Sequence, residues 1–371
     1  MAVLETTNTK IKSKNKNKNN IIEEPLIPGL PNEIAELCLL HLPYPYQSLA
    51  RAVSSSWNRA ITNPSFQQCK KTLSRPYLFL FSFHKLTRKF YCHLLDHRTR
   101  SSTAAARWFT LPLPPSPITC YGKLLTIAGT MRFGTLIFST AMSQWSSASA
   151  LASAAAGTFF TEEGENGKIV AVHGGASLGA KIYDAESDTW RNGARVEVEN
   201  EVASFEAVEN EGKVFVTEGW RWPFTVIPRG WVYDTRSDTW QGMGIGMREG
   251  WSGVAVAVAG RVFRIPEYGD GDVKVYEERS DTWRLVRGRF PREKVKRPLK
   301  AKGLDGKMYV AGCGLNVAIG SVVSLCGEGG KRQRQEEGRN DSVCIELKWE
   351  VVEAPGGFRE LEACHCQVLY A

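Results

Sequence analysis

The 371-residue sequence predicts a mainly β protein, a six-bladed β-propeller preceded by a small α-helical domain. Three observations carry this prediction: a repeated tetrapeptide, a repeated glycine-led apolar segment, and a change of hydrophobic period near the N-terminus. The repeats follow a spacing typical of propeller blades, whereas residues 25–66 follow the helical period.

The N-terminal pattern predicts a first helix that begins after Pro31 with Asn32 as its cap. Ile34 and Leu37 fall on one face of this helix, and Pro43 follows its end because proline cannot continue a helix. A short proline-rich connection then separates this helix from the next.

Two more short helices are predicted after that connection. The second carries Leu49 and Val53, and the third, capped by one of the serines at 54–56, carries Trp57 and Ile61. So small a module exposes more apolar surface than it can bury, which predicts a partner that covers it.

The repeated tetrapeptide SDTW occurs at 187–190, 237–240 and 280–283, and each copy ends a longer similar segment. A tyrosine precedes the tryptophan by seven residues in all three, and a phenylalanine does so in LIFSTAMSQW at 136–145. The pattern predicts a strand, a turn rich in Asp and Ser, and a second strand, with the two aromatic rings packed between neighbouring sheets.

A second repeat runs in phase with the first. Glycines 122, 167, 212, 260 and 306 each precede a basic residue and an apolar, β-rich run, at steps of 45, 45, 48 and 46 residues. Such runs are typical of inner, buried strands. A period of about 40–50 residues is that of propeller blades, whose sheets bury both faces only against neighbours.

The two ends of the repeat region are expected to complete each other. Residues 76–114 supply three strands of a first blade, and CHCQVLYA at 364–371 supplies its missing strand. Residues 76–371 then divide into six blades of about 49 residues each, and the closed ring leaves no exposed edges. The charged, glycine-rich insert after Cys326 is expected to be a loop that does not bind nucleic acid.

These patterns divide the chain into a disordered basic tail over 1–24, a helical domain over 25–66, a linker over 67–75 and the propeller over 76–371. No apolar run of about 18 residues is present, so no membrane partner is expected. The tail lacks the apolar core of a secretion signal, and nine scattered cysteines are typical of reduced thiols. A nuclear or cytoplasmic location, or both, is therefore expected, while a net charge of +8 selects no ligand by itself.

The same residues carry two resemblances. LPxEI at 30–34, LP at 42–43 and RxVSxxW at 51–57 resemble the F-box, the module that docks on the Skp1 adaptor of cullin–RING ubiquitin ligases. The later repeats resemble kelch repeats, so the chain is similar to plant F-box/kelch-repeat proteins from about residue 25 to its C-terminus. The resemblance implies eight Skp1 contacts or immediate supports: Leu30, Pro31, Ile34, Leu42, Pro43, Leu49, Val53 and Trp57.

The resemblance also implies a function. The chain is expected to be the non-catalytic substrate receptor of a Skp1–cullin–F-box ligase, with a Skp1-like adaptor, a cullin, a RING protein and an unidentified protein target as partners. No cofactor is expected. One family member that the chain resembles closely acts in phytochrome A signalling, which implies a role in far-red light signalling.

Three alternatives stay open beside this interpretation. A kelch scaffold outside any ligase could bind a signalling or cytoskeletal partner, and the helical module could be a cap on the propeller. Some propellers of this type are enzymes with metal sites. The CHC triplet at 364–366 could hold zinc, but on a strand its two sulfurs share a face and His365 points away, so a closing strand is favoured.

Candidate substrate-binding residues come from EGWRWPF at 218–224 and REGWSG at 248–253, which are expected at corresponding positions of consecutive blades. Tryptophan and arginine are frequent interface anchors. Packing between blades is the alternative for Trp220 and Trp251. The candidates are Trp220, Arg221, Trp222, Arg248 and Trp251. The basic run at 292–302 is expected to be a solvated loop between blades, with an acidic-substrate contact as its alternative.

Overall fold

The computed structural model of the chain separates into two compact units, Met1–Phe66 and Gln67–Ala371. The predicted basic tail 1–24 and the insert 326–343 lie outside the described residues. The structure describes residues 25–97, 107–111, 124–127, 130–133, 136–139, 144–147, 159–160, 168–184, 187–202, 205–220, 225–325 and 344–370.

Four helices lie at the start of the described chain. They are α1 (Asn32–Leu40), α2 (Tyr46–Ala50), α3 (Ser55–Thr62) and α4 (Pro64–Leu73). The first three confirm the predicted helices. The fourth was not predicted, and it occupies most of the segment 67–75 that the sequence indicates as a linker.

Local capping explains where these helices begin. Ser54 Oγ accepts a hydrogen bond from the backbone N–H of Trp57 at 3.1 Å and so caps α3. The oxygen Oδ1 of Asn63 accepts from the Ser65 N–H at 3.0 Å, just before a proline at the first helical position, which starts α4. The prediction for Asn32 was wrong: it already lies inside α1, and its Oδ1 accepts from the Leu26 N–H at 2.9 Å.

A small core holds the helical unit together. Leu39, Ala50, Ile61 and Phe66 are buried against one another, and Trp57 packs beside them. The indole N–H of Trp57 donates to the carbonyl oxygen of Leu26 at 2.5 Å, which ties the incoming chain to α3.

Six four-stranded antiparallel sheets lie in the second unit. The strands of the first half are β1 (Pro76–His84), β2 (Phe90–Asp96), β3 (Arg107–Leu111), β4 (Leu124–Ile127), β5 (Thr130–Phe133), β6 (Leu136–Ser139), β7 (Gln144–Ser147), β8 (Phe159–Phe160), β9 (Lys168–His173), β10 (Ser177–Asp184), β11 (Thr189–Glu197) and β12 (Glu206–Asn210).

The second half supplies the remaining strands, one short helix and one 3-10 turn. They are β13 (Lys213–Thr217), β14 (Gly230–Asp234), β15 (Thr239–Gly242), α5 (Ile245–Gly250), β16 (Val254–Val258), β17 (Arg261–Ile265), β18 (Lys274–Glu277), β19 (Thr282–Leu285), β20 (Lys296–Leu304), β21 (Lys307–Cys313), β22 (Val317–Leu325), β23 (Cys344–Val352), the turn Gly356–Phe358 and β24 (Leu361–Tyr370).

The predicted closure by the C-terminal strand is confirmed. The last strand, β24, pairs antiparallel with β1 from Pro76 opposite Tyr370 to His84 opposite Leu361, and the sheet has the order β24-β1-β2-β3. The two ends of the repeat region therefore share one sheet, which joins them non-covalently.

The blades surround a common axis. The innermost strands β12, β16, β20 and β24 contact one another in sequence, which establishes a mainly β propeller behind a small helical domain. The sequence predicts six blades. Five of the sheets have described side chains, and the sheet β4–β7 is described by its backbone alone. The glycine-led strands β9, β13, β17 and β21 are buried as expected, but they take the second position from the axis.

The SDTW repeat forms a clamp between blades, as its third copy illustrates. Asp281 has a positive φ of 49° and accepts a hydrogen bond from Tyr276 of its own blade at 2.8 Å. It also accepts from the backbone N–H groups of Gly246 and Met247, in the segment that follows the preceding blade, at 2.9 Å each. The Trp283 indole donates to the Met247 carbonyl at 3.1 Å.

The second copy makes the same contacts one blade earlier. Tyr233 donates to Asp238 at 2.5 Å, the Ala194 N–H donates to Asp238 at 2.7 Å, and the Trp240 indole donates to the Ala194 carbonyl at 3.1 Å. In the second and third copies, the Asp and Trp of one blade therefore hold the segment that comes before it.

Replacing Asp281 by asparagine is expected to cost about 1–3 kcal/mol of stability at pH 7, because donors at a partly buried site lose a charged acceptor. Burial opposes ionisation of Asp281, but the hydrogen bonds from Gly246, Tyr276 and Met247 together hold its pKa below the ordinary 3.8. The stabilisation is therefore complete above that value and is lost as the pH falls through the lower folded-state pKa. Thermal unfolding followed by circular dichroism should show a wild-type advantage at pH 7 that shrinks below about pH 4.

The control for this prediction is Asp270→Asn, at an exposed position between β17 and β18. It should leave the unfolding temperature nearly unchanged. An equal loss of stability in both variants, or a difference from wild type that grows at acid pH, contradicts the clamp.

Candidate functional site

An apolar surface lies on the helical unit. Its members, called here the helical apolar surface, are Leu30, Ile34, Leu37, Leu49 and Val53, whose exposed fractions are 37, 46, 49, 64 and 63%. Five exposed apolar side chains between residues 30 and 53 of so small a unit are typical of a protein interaction site.

The eight residues that the resemblance implies separate into two groups. Leu30, Pro31, Ile34, Pro43, Leu49 and Val53 are exposed, whereas Leu42 and Trp57 are half-buried against the core of the unit. The first group can contact a partner directly, and the second supports it. The prediction missed Leu37 and Tyr46, both exposed apolar side chains. The three-residue spacing of Ile34 and Leu37 was the available signal for the first.

The backbone fixes the positions of Leu49 and Val53. Leu49 lies on α2 next to buried Ala50, and the Val53 N–H donates to the Ala50 carbonyl at 3.1 Å. The turn after α2 therefore presents both side chains on a backbone that is anchored in the core.

On the propeller, the candidate residues come from two different kinds of connection. Trp220 follows β13, the second strand of its blade, whereas Trp251 precedes β16, the first strand of the next blade. The expected correspondence of position was therefore wrong, because the two motifs lie at different points of the blade repeat. The Trp220 indole N–H nevertheless donates to the Glu249 carbonyl at 3.1 Å, so the two segments meet in space.

Trp251 is buried, with 1% of its surface exposed. Its indole N–H donates to Glu206 Oε2 at 3.0 Å, and its ring meets Trp283 edge to face at 6.4 Å. This placement favours packing between blades over direct contact with a substrate. Trp220 and Arg248 are half-buried, and Arg221 and Trp222 lie outside the described residues.

An ion pair that no sequence pattern predicted lies near Trp220. Arg229 donates to both carboxylate oxygens of Glu218 at 2.6 and 2.7 Å, and its guanidinium lies 5.4 Å from the Trp231 ring centre. The hydrogen bond to Glu218 raises the pKa of Arg229. The pair closes the loop after β13, which displays Val226 with 78% of its surface exposed.

An exposed aromatic side chain lies in the next blade. Tyr268 is 69% exposed, and the guanidinium of Arg297 lies 4.2 Å from its ring centre. Tyr268 and Val226 extend from the connections after second strands, which leave their sheets at the same end because alternate strands run antiparallel. Val226 and Tyr268 therefore lie at the same end of their blades.

The basic run 292–302 is only partly a loop. From Lys296 onward it forms β20, an innermost strand, so the expectation of a solvated loop was wrong for this part. Lys294, just before the strand, pairs with Glu353 at 3.5 Å. The strand β20 was not predicted because the segment is rich in charges, although its lysines alternate with Leu299 and Ala301, which pack in the core.

The chemistry of the described residues gives no catalytic constellation. Cys364 and Cys366 lie on β24, where Cys364 Sγ contacts the Phe81 carbonyl at 3.2 Å and Cys366 is buried. Within the described ranges no group of three or more His, Cys, Asp or Glu side chains could hold a metal ion. No helix in that part of the chain has the length and apolar character needed to cross a membrane.

Comparison with known proteins adds to these observations. The F-box domain family matches residues 27–68. F-box protein AFR of Arabidopsis thaliana is 37% identical over 396 aligned positions, which cover 100% of both chains. An F-box/kelch-repeat protein of the same plant is 29% identical and covers 94% of this chain and 87% of its own, and another is 24% identical with 76% of each chain covered.

Proposed function

Because this chain belongs to the F-box/kelch-repeat proteins, we propose that it is the substrate-recognition subunit of a Skp1–cullin–F-box ubiquitin ligase. The helical unit docks a Skp1-like adaptor and, through it, a cullin and a RING protein. The propeller holds the protein target. The observation that carries this proposal is the helical apolar surface, which lies within the residues that match the F-box.

The adaptor interface in this proposal is apolar. Leu49 and Val53 are the most exposed members of the helical apolar surface, so covering them removes the most apolar area from water. Leu42 and Trp57 act indirectly, because their packing against the core fixes the helices that carry the exposed residues.

The propeller in this proposal has six blades, with the sheet β4–β7 as the remaining one. The support is a shared pairing: Phe138 lies opposite Trp145 in that sheet, as Tyr233 lies opposite Trp240 and Tyr276 opposite Trp283 in blades with described side chains. Protection from hydrogen exchange over 124–147 equal to that of β12–β15 is expected, and fast exchange there would count against a sixth blade.

The chain itself breaks and forms no bonds in this mechanism. It raises the effective concentration of target lysines near a ubiquitin-conjugating enzyme that the rest of the ligase holds. The loops carrying Val226 and Tyr268 form the recognition face, where exposed apolar and aromatic side chains lie beside Arg229 and Arg297.

The proposed setting is far-red light signalling through phytochrome A, in the nucleus, the cytoplasm or both. The support is the likeness to F-box protein AFR over the full length of both chains. A plant that lacks this chain should respond abnormally to far-red light and recover when the wild-type chain is restored. A normal far-red response in the mutant contradicts this setting and leaves the ligase role intact.

Affinity purification tests the receptor model. A full-length variant with Leu30 and Pro31 changed to alanine should lose the adaptor and retain more target than wild type, because the target is bound but no longer degraded. A scaffold outside any ligase, the alternative function, should recover the same partners with both proteins. Recovery of adaptor by the variant at the wild-type level contradicts the model.

A further inference from the structure

A cavity lies on the axis of the propeller. It has a volume of about 380 Å³, and its wall is formed by the innermost strands β12, β16, β20 and β24. Small-molecule sites in proteins typically have volumes of about 300–1,000 Å³. The cavity therefore has room for a small organic molecule, and it belongs neither to the helical apolar surface nor to the loops of the recognition face.

One side of the cavity wall is cationic. Leu299 and Ala301 of β20 pack in the core toward the preceding blade, so Lys300 and Lys302 point the opposite way, toward β24. Burial raises the pKa of Cys366 on β24 to about 12, while the charges of Lys302 and Lys300 oppose that rise. Both ammonium groups therefore lie within electrostatic reach of the Cys366 side of the cavity.

Two polar side chains of this wall have no hydrogen-bond or ion-pair partner among the residues that the structure describes. Lys300 is half-buried and makes no hydrogen bond or ion pair with any described residue. Gln367 is 3% exposed and lines the same cavity, and its side-chain amide makes no hydrogen bond within the described ranges. A half-buried charge and a nearly buried amide that face one cavity can both be satisfied by a ligand that binds there.

The acidic residues of the opposite wall have bonds of their own. Glu206 accepts from the Trp251 indole at 3.0 Å, and Glu209 accepts from the Gly212 N–H at 2.9 Å. Neither of these bonds involves Lys300, and no ion pair among the described residues contains it.

We propose that the axial cavity binds a small organic carboxylate, which pairs with Lys300 and accepts a hydrogen bond from the Gln367 amide. A carboxylate fits better than a phosphate because the described lining includes no arginine fork and no helix N-terminus, the groups that proteins commonly use for phosphate. The ligand would bind the folded propeller but not the unfolded chain, so it would stabilise the folded state. This site is independent of the ligase function.

Isothermal titration calorimetry and thermal unfolding of the full-length chain test the site, with succinate, citrate and inorganic phosphate as probes. At least one of the two carboxylates should bind the wild type and raise its unfolding temperature more than phosphate does. Lys300→Gln should raise the dissociation constant about tenfold, or about 1.4 kcal/mol. Lys300→Arg should restore binding because it keeps the positive charge.

The matched control is Lys296→Gln, at an exposed position of the same strand, which should bind like wild type. Gln367→Leu is a second variant that leaves the lysines in place and should also weaken binding. Absence of binding by both carboxylates, equal binding of phosphate, or an equal effect of Lys296→Gln and Lys300→Gln overturns the proposal.

Discussion

Replacement of Leu49 by aspartate is expected to weaken binding of a Skp1-like adaptor at least about 100-fold, or about 2.7 kcal/mol. Leu49 is 64% exposed on α2, so the change puts a charge into the proposed interface without removing a core side chain. A carboxylate buried there on binding would have to lose its water without gaining a partner. Titration of the full-length chain with the purified adaptor measures the effect.

The control for this prediction is Leu86→Asp. Leu86 is 79% exposed in the hairpin between β1 and β2, in the propeller unit, and the same chemical change there should leave adaptor affinity unchanged. Both variants should keep the wild-type circular dichroism spectrum. An adaptor affinity of Leu49→Asp within about threefold of wild type, less than 1 kcal/mol, would remove the helical apolar surface from the interface.

Replacement of Trp251 by alanine is expected to destabilise the propeller by about 3–5 kcal/mol, the usual cost of deleting a large buried aromatic side chain. The ring fills a site between blades, and its loss also leaves the Glu206 carboxylate without its indole donor. The thermal transition of the β signal in circular dichroism should therefore fall markedly in temperature. At temperatures below its transition, the Trp251→Ala variant should still bind the adaptor, because the helical residues form their own compact unit.

Trp220→Ala is the matched comparison, since Trp220 is only half-buried in the loop after β13. It should cost about 1 kcal/mol, the scale of one hydrogen bond, because the bond to the Glu249 carbonyl is its main described polar contact. Equal losses of stability in the two variants would contradict the structural role assigned to Trp251 and the surface role assigned to Trp220. Loss of target binding by Trp220→Ala with an intact fold would place this residue in the recognition face.

The clamp between blades gives the SDTW motif a physical cause. A positive φ favours Asp or Asn, the carboxylate satisfies donors from two blades at once, and the indole returns a hydrogen bond to the earlier blade. Asp281 and Trp283 together show all three features. Each requirement concerns a different atom, so few substitutions are expected to be tolerated at the Asp and Trp positions. The exposed serine and threonine bond each other, and Ser280 also donates to Glu277 of its own blade.

The sequence by itself determined which segments form the propeller and how its ends join, because period, turn chemistry and strand alternation are local properties. It also identified the helical module, whose exposed residues are set by spacing along short helices. The helix α4 was missed because its start depends on a cap at Asn63 within a polar stretch that lacks a clear apolar stripe.

Only the tertiary structure decided the roles of residues whose sequence surroundings are similar. Trp220 and Trp251 have similar neighbours in sequence, yet one lies in a loop and the other in the core, because burial depends on the blade that packs against each. Likewise, Lys300 belongs to a run of charges that is typical of a loop, and its place on an innermost strand follows from pairing with β21. Contacts with other strands and with neighbouring blades fixed these roles, and no local pattern encodes such contacts.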